Sequence, residues 1–284
     1  MKNDTNIAKE WHGHALKIKQ DANKIILGQE KAINLVIISL FARGHVLLEG
    51  GVGVGKTTLL QVITKRIGGS YERVEGTVDL MPNDIIYHAS ISDEGRPSIS
   101  QGPLLKKGED LSVFFFNEIN RARPQVHSLL LRVMAEKSVS AFNKVIYLPN
   151  MVVFADRNQV EKNETFELPA AARDRFMMEV SIQSPTDKVL RDSIIFDTKF
   201  QDTSKLIDDI PSPSFDCKEL NTVSSAIQEN IQTSDHIKNY VETLWQATEN
   251  PKKFAVDVEG IDMDDFIVAG SSPRGMIMLV KAAK

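Results

Sequence analysis

Apolar and polar positions along the chain change period several times, and each change marks an element. Residues 1–25 carry apolar side chains at helical spacing in a polar background, which predicts an amphipathic helix as far as Lys24. The Gly28-Gln29-Glu30 step opens a second helix with Ile33, Val36, Ile37 and Leu40 on its apolar face. His45–Glu49 is a short apolar run ending at glycines, the pattern of a buried strand, and Leu59, Leu60, Ile63 and Ile67 then return at helical spacing. Tyr71–Thr77 alternates and predicts a strand. Leu111–Phe116 contains Val113-Phe114-Phe115-Phe116, apolar on both faces, as a central parallel strand requires. Pro124–Lys137 predicts a helix with proline in its first turn and Leu129, Leu130, Val133 and Met134 along one side. Val139–Leu148 reads as a hairpin turning near Asn143, and Met151–Ala155 and Phe176–Ile182 as two further strands.

Strands alternating with helices imply a sheet covered on both faces, an α/β architecture with a central parallel sheet. Asp202–Asp216, rich in proline, serine and aspartate, reads as a linker. Only helices are predicted after it: Leu220–Gln232, Asp235–Thr248 with Ser234 as its cap, and one that begins at Ser272-Pro273. The expected organisation is an N-terminal helix (1–25), an αβα domain (26–201), a linker (202–219) and a smaller all-α domain (220–284). Two domains suit a chain of 284 residues.

Composition narrows the function. With 42% hydrophobic and 25% charged residues the chain has the make-up of a soluble globular protein. A net charge of -4 and a pI near 5.9 supply no basic excess for nucleic acid or an anionic membrane. The longest apolar stretch, Ile33–Phe41, falls well short of the ~20 residues a membrane span needs. The N-terminus has no apolar core of a secretion signal, so a cytoplasmic location is expected. Cys217 is the single cysteine, which excludes an internal disulfide and a cysteine-rich metal site.

The strongest chemical signal is Gly50-Gly51-Val52-Gly53-Val54-Gly55-Lys56-Thr57, the P-loop spacing of two glycines four residues apart followed by lysine and threonine. Glycines let the backbone curl until successive N–H groups point at one phosphate, and the following helix adds its positive end. A buried strand before the motif and a helix after it are the context this reading needs. Gly50, Gly51, Val52, Gly53, Val54, Gly55, Lys56, Thr57 and Thr58 are therefore the candidate phosphate-binding residues. Lys56 would reach the β- and γ-phosphates of ATP, and the Thr57 hydroxyl would ligate Mg²⁺.

The apolar strand at 113–116 ends in Asn117-Glu118, which sets two polar side chains beside the loop, where open α/β sheets bind ligands. P-loop hydrolases usually carry aspartate first, to hold the metal through its water, and glutamate second, to align or deprotonate the attacking water. Asn117 can still accept a bond from a metal-bound water but carries no charge. Charge-assisted bonds are about twice as strong as neutral ones, so weaker Mg²⁺ binding and slow hydrolysis are expected. Glu118 remains as the candidate base.

Further blocks make the chain resemble the MoxR family of AAA+ ATPases from about Ile26 to its end. They are Gly44–Gly50, Thr77–Ile85, Gln101–Leu104, Asn117–Ala122, Glu164–Pro169 and Asp174–Phe176, in that order. The resemblance implies a P-loop AAA+ αβα sandwich followed by a helical lid. It implies that Asn158 is the sensor-1 residue orienting the lytic water and that Arg175 is an arginine finger acting on a neighbouring subunit's nucleotide. Arg173 is the lesser candidate; without the resemblance either arginine could sit in a surface ion pair. Ser272-Pro273-Arg274 resembles the sensor-2 motif, with Arg274 directed at the γ-phosphate. A finger acting in trans implies a ring, commonly hexameric. The family's members act as chaperone-like ATPases on protein complexes and metalloenzymes, often with a von Willebrand factor A-type partner. The chain stops ten residues past Arg274, where family members carry more of the lid, so the lid is expected to be incomplete.

Two other functions compete: an assembly factor that binds nucleotide but has lost turnover, which Asn117 favours, and a DNA-acting AAA+ protein, which the acidic charge disfavours. Weaker signals read as structure. His12-Gly13-His14 belongs to a polar helix face, Asp257–Asp265 to a solvated loop, and Trp11 and Trp245 to packing. Asn163-Glu164-Thr165 matches a glycosylation acceptor that matters only in a secreted chain.

Overall fold

The computed structural model describes residues 2–91, 95–158, 166–213, 215–256, 259–261, 263, 267 and 269–284, with side chains from residue 9 onward. The acceptor triplet 163–165, residues 164–165 of the Glu164–Pro169 block and most of the acidic run 257–265 lie outside the described residues. The chain divides into two units, Met1–Ser224 and Ser225–Lys284. No helix among the described residues is long and apolar enough to cross a membrane.

The first unit is built on a five-stranded parallel sheet in the order β2-β5-β8-β1-β9, with β1 Val46–Glu49, β2 Ser70–Glu75, β5 Leu111–Asn117, β8 Val152–Arg157 and β9 Met178–Ser181. The interior strands are apolar on both sides because helices cover both. Phe114, Phe115, Phe116 and Phe154 are fully buried. Alternate residues serve alternate faces. Leu47, Phe114, Phe116, Val153 and Ala155 pack with Val126, Leu130 and Val133 of α5 (Pro124–Glu136). On the opposite side α2 (Glu30–Phe41) packs on β9 and α3 (Lys56–Ile67) on β2 and β5, and α1 (Lys2–Ile25) packs against both helices. The expected N-terminal helix is thus part of the first unit: Ile18, Ala22 and Ile25 are buried, and Asp21 pairs with Arg66 of α3 at 3.0 Å. Trp11 packs edge-on against Phe41 and Phe215, with the His14 ring beside it.

Two antiparallel hairpins extend from this unit. β6 (Ser138–Ala141) and β7 (Lys144–Tyr147) turn through Phe142 and Asn143, both at positive φ. β3 (Tyr87–Ile91) and β4 (Pro97–Gln101) follow the short helix α4 (Pro82–Ile86) and were not anticipated from the pattern.

The linker reading of 202–216 needs correction. Thr203–Asp208 forms a helix, α8, whose N-cap Asp202 accepts the Ser204 N–H. It lies against α3 and α1. Lys65 donates to the Asp208 carbonyl at 2.9 Å, and Arg66 to the Pro211 and Ser212 carbonyls. Leu206 and Ile207 are half-buried and Ile210 is buried, so an apolar face hides within the polar composition. The division between units falls inside the next helix, α9 (Glu219–Asn230).

The second unit contains α10 (Asp235–Glu249) and a C-terminal helix, Pro273–Ala283. Ser234 and Ser272 cap them, accepting the Ile237 and Gly275 N–H groups. Trp245 Nε1 donates to the Ser271 carbonyl at 2.9 Å.

Candidate nucleotide site

Strand β1 delivers the chain to Gly50 at the C-terminal edge of the sheet, and the loop closes at Gly55. Gly55 caps α3 with φ 90°, a left-handed conformation that a side chain resists. The helix begins at Lys56, so the N–H groups of Lys56, Thr57 and Thr58 belong to its open first turn. The amino end of α3 therefore combines free donors with a positive dipole, which suits an anion.

Lys56 is only 9% exposed. Its ammonium donates to the Gly50 carbonyl at 2.7 Å and the Gly51 carbonyl at 3.3 Å, and it forms an ion pair with Asp156 Oδ2 at 2.7 Å. Asp156 lies on β8 and is 1% exposed. Its carboxylate also accepts the backbone N–H of Glu118. Burial pushes the Asp156 carboxyl above the usual carboxylate range, while the bonds from Lys56 and from the Glu118 N–H pull it back. One carboxylate thus ties the head of α3 to the end of β5.

Glu118 has φ 53°, an uncommon backbone for glutamate, and its Oε2 accepts a 3.0 Å bond from Arg121. The turn is wedged from the β2 side. Gly76 N–H donates to the Asn117 carbonyl at 2.7 Å, and a Cβ at Gly76 would run into the Glu118 carbonyl. The Asn117 amide donates to the Glu75 carboxylate on the neighbouring strand.

The other expected residues divide. Val52 stands at the exposed tip of the loop. Asn158 is buried just past the end of β8. Arg175, between α6 (Ala170–Arg173) and β9, donates to the Leu131 carbonyl of α5 at 3.1 Å. Arg173 sits 3.4 Å from Glu179 in a surface ion pair. Arg274 belongs to the second unit, in the first turn of the C-terminal helix.

Two features escaped the sequence reading. One is Asp156. The other is an apolar cavity of about 470 Å³ beside the loop, lined by Ile25, Ile26, Leu27, Val54, Gly55 and Thr58 and, across it, by Pro185, Arg191, Ile194 and Ile195. The last three belong to α7 (Lys188–Phe196). Ile25-Ile26-Leu27 and Ile194-Ile195-Phe196 are the sequence signals that could have found it. A concave apolar wall next to phosphate-directed amides is the usual form of a small-molecule site.

The donor set fits a nucleotide and a hard cation. Backbone N–H groups and an ammonium suit phosphate, whereas the oxygens of Thr57, Asn117 and Asp156 are the ligand type magnesium prefers.

Comparison with known proteins agrees with this geometry. Residues 45–178 match the ATPase family associated with various cellular activities (AAA). The chain is similar to Protein MoxR of Methylorubrum extorquens, 52% identical across 97% of this chain and 80% of that one. It is also similar to Protein MoxR of Paracoccus denitrificans, 48% identical across 99% and 83%. Chaperone MoxR1 of Mycobacterium tuberculosis is 29% identical across 93% and 66%. In fold, the chain resembles a solved structure of a Cytophaga hutchinsonii protein, with a TM-score of 0.77 and 23% identity over 99% of this chain and 81% of that one.

Proposed function

Because the chain belongs to the MoxR family of AAA+ ATPases, we propose that it binds Mg-ATP at the Gly50–Thr58 loop and couples slow hydrolysis to the remodelling or activation of a protein client. The observation that carries this reading is the join between Lys56, Asp156 and the Glu118 backbone at the mouth of the loop. The loop N–H groups hold the phosphates, and Lys56 exchanges its carbonyl and Asp156 partners for phosphate oxygen. Thr57 and Asn117 would hold a magnesium ion, which when bound offsets charge on the phosphates. Glu118 takes the proton of the attacking water, and Asn158 orients that water. The apolar cavity beside Thr58 receives the base. Arg175 serves a neighbouring subunit in a ring, hexameric in this reading, and Arg274 senses the γ-phosphate. A von Willebrand factor A-type protein is the partner expected from the family, and the chaperone name of the mycobacterial relative supports a protein client.

Calorimetry with ATP, phosphate release and light scattering on one sample test this directly. Nucleotide-dependent growth in mass with measurable turnover is expected. Lys56→Ala should remove binding, whereas Glu118→Gln should keep binding and stop turnover. Turnover at the parent rate in Glu118→Gln would show the base to be another group. A second reading, nucleotide-dependent assembly without turnover, draws on the Asn117 amide being committed to Glu75. It predicts binding and assembly with no phosphate release from the wild-type chain.

A further inference from the structure

Three polar side chains stand in a row at the C-terminal ends of adjacent strands. β2 and β5 pair Glu75 with Asn117, and the β5–β8 register, with Phe116 opposite Ala155, brings Asp156 beside Asn117 on the other flank. The middle position is where P-loop hydrolases carry their metal-side aspartate. Here it is neutral, and its amide donates to Glu75, away from Asp156.

The carboxylate on the loop side is Asp156. Among the described residues it is the most buried acid, at 1% exposure. Both oxygens are engaged: Oδ2 lies 2.7 Å from Lys56 Nζ, and Oδ1 accepts the Glu118 N–H. Burying such a charge costs free energy that a polar or apolar residue at the same strand end would not. Nothing in the apolar packing of β8 asks for it: the residues before it are Val152, Val153, Phe154 and Ala155, and Arg157 after it pairs with Glu49 of β1. What the position does share is contact with the phosphate-loop lysine and with the backbone of the candidate base.

We propose that Asp156 is the acidic residue of the phosphate site, supplying from β8 the carboxylate that position 117 lacks. One oxygen holds the Lys56 ammonium until phosphate draws it away and is then available to the magnesium ion. The other keeps the Glu118 backbone in its left-handed turn. Asp156 is a positioning residue for Lys56 and Glu118 and the charged member of the metal-binding set. This rests on the Mg-ATP reading above.

The test uses the full chain and three variants: Asp156→Asn, Asn117→Asp, and the two combined. Mn²⁺ affinity in the presence of ADP is read by electron paramagnetic resonance, ATP affinity without metal by a fluorescent analogue, and folding by circular dichroism melts. Asp156→Asn is expected to weaken Mn²⁺ binding by about 10- to 100-fold, the usual effect of removing a supporting carboxylate, while metal-free ATP affinity does not fall. Asn117→Asp alone adds a carboxylate between Glu75 and Asp156 and does not strengthen Mn²⁺ binding. The combined variant, which moves the charge one strand across, recovers it.

Equal Mn²⁺ affinity in wild type and Asp156→Asn would overturn the proposal. So would a gain of about tenfold from Asn117→Asp alone, since that would show the site still lacking its acid. If Asp156→Asn does not fold, recovery of both fold and Mn²⁺ affinity in the combined variant supports the proposal. Recovery of neither, or of fold alone, makes Asp156 a packing residue. Failure of the wild-type chain itself to bind ATP would instead overturn the Mg-ATP reading.

Discussion

Lys56 and Asp156 form a buried ion pair, 2.7 Å between Nζ and Oδ2, that joins the head of α3 to β8. Their side chains are 10% and 2% exposed, so neither charge has water to fall back on. Breaking such a pair from one side costs more than removing both charges. Lys56→Met leaves Asp156 only the Glu118 N–H and should cost about 3 kcal/mol of stability. Asp156→Asn leaves Lys56 the Gly50 and Gly51 carbonyls and should cost less. The combined Lys56→Met/Asp156→Asn variant should recover part of the loss, read from urea midpoints at constant slope. Strictly additive losses would show that the two charges do not depend on one another.

Gly76 is the second lever on the Glu118 turn. The close approach of its backbone to the Glu118 carbonyl leaves no room for a methyl group, because the obstacle is backbone and not a mobile side chain. Gly76→Ala must push β2 and the turn apart, at about 1–3 kcal/mol, as overpacking does. Turnover should fall by more than tenfold while the ATP dissociation constant changes by less than threefold, because the phosphate loop is untouched. Circular dichroism melts and phosphate release, compared on the same preparation, check both halves. A matching loss of nucleotide affinity would mean that the shift reaches α3.

What the sequence made legible follows from how local each signal is. The sheet strands show because β5 and β8 are buried on both faces and so read as uninterrupted apolar runs. The phosphate loop shows because its glycines, lysine and threonine are consecutive. Asp156 does not show, because its meaning comes from strand register. Only the pairing of β8 with β1 and β5 brings it to Lys56 and Glu118, 100 and 38 residues away in sequence. The helix at Thr203–Asp208 was hidden for a different reason: proline, serine and aspartate dominate the composition of the segment, while its apolar face is only Leu206 and Ile207, with Ile210 just beyond the helix. The cavity beside the loop joins Ile25–Leu27 to a helix more than 160 residues later, beyond any periodicity argument.

In the Mg-ATP reading, that cavity would separate base from phosphate recognition. Ile194 is 39% exposed and lines it opposite Thr58. Ile194→Trp fills the space from the rim with little effect on folding, within about 0.5 kcal/mol. ATP affinity should drop by about tenfold, or ~1.4 kcal/mol. Inorganic tripolyphosphate, which has no base, should bind as it does to the parent. Calorimetric titration with each ligand decides the matter. An equal loss for tripolyphosphate would place the effect on the loop and leave the cavity without a base-binding role.

The last prediction concerns pH and the single helical turn Ile119–Arg121 that follows Glu118. His127 on α5 is 2% exposed, and its Nε2 meets the Ile119 carbonyl at 2.7 Å. A carbonyl only accepts, so Nε2 carries the proton and Nδ1 is bare in the neutral ring. Burial holds the imidazole below its ordinary pKa, with the bond to Ile119 opposing the shift. The unfolded chain therefore takes up this proton near pH ~6.5, before the native chain does. Where the unfolded state binds more protons, stability rises with pH. The contribution of a neutral His127 is thus complete above ~6.5 and is lost as pH falls toward the native pKa. Melting temperatures should drop between about pH 7.5 and 5.5, and the drop should be smaller in His127→Gln, which keeps an N–H for Ile119 without titrating. Identical drops in both proteins would assign the acid sensitivity to the carboxylates instead.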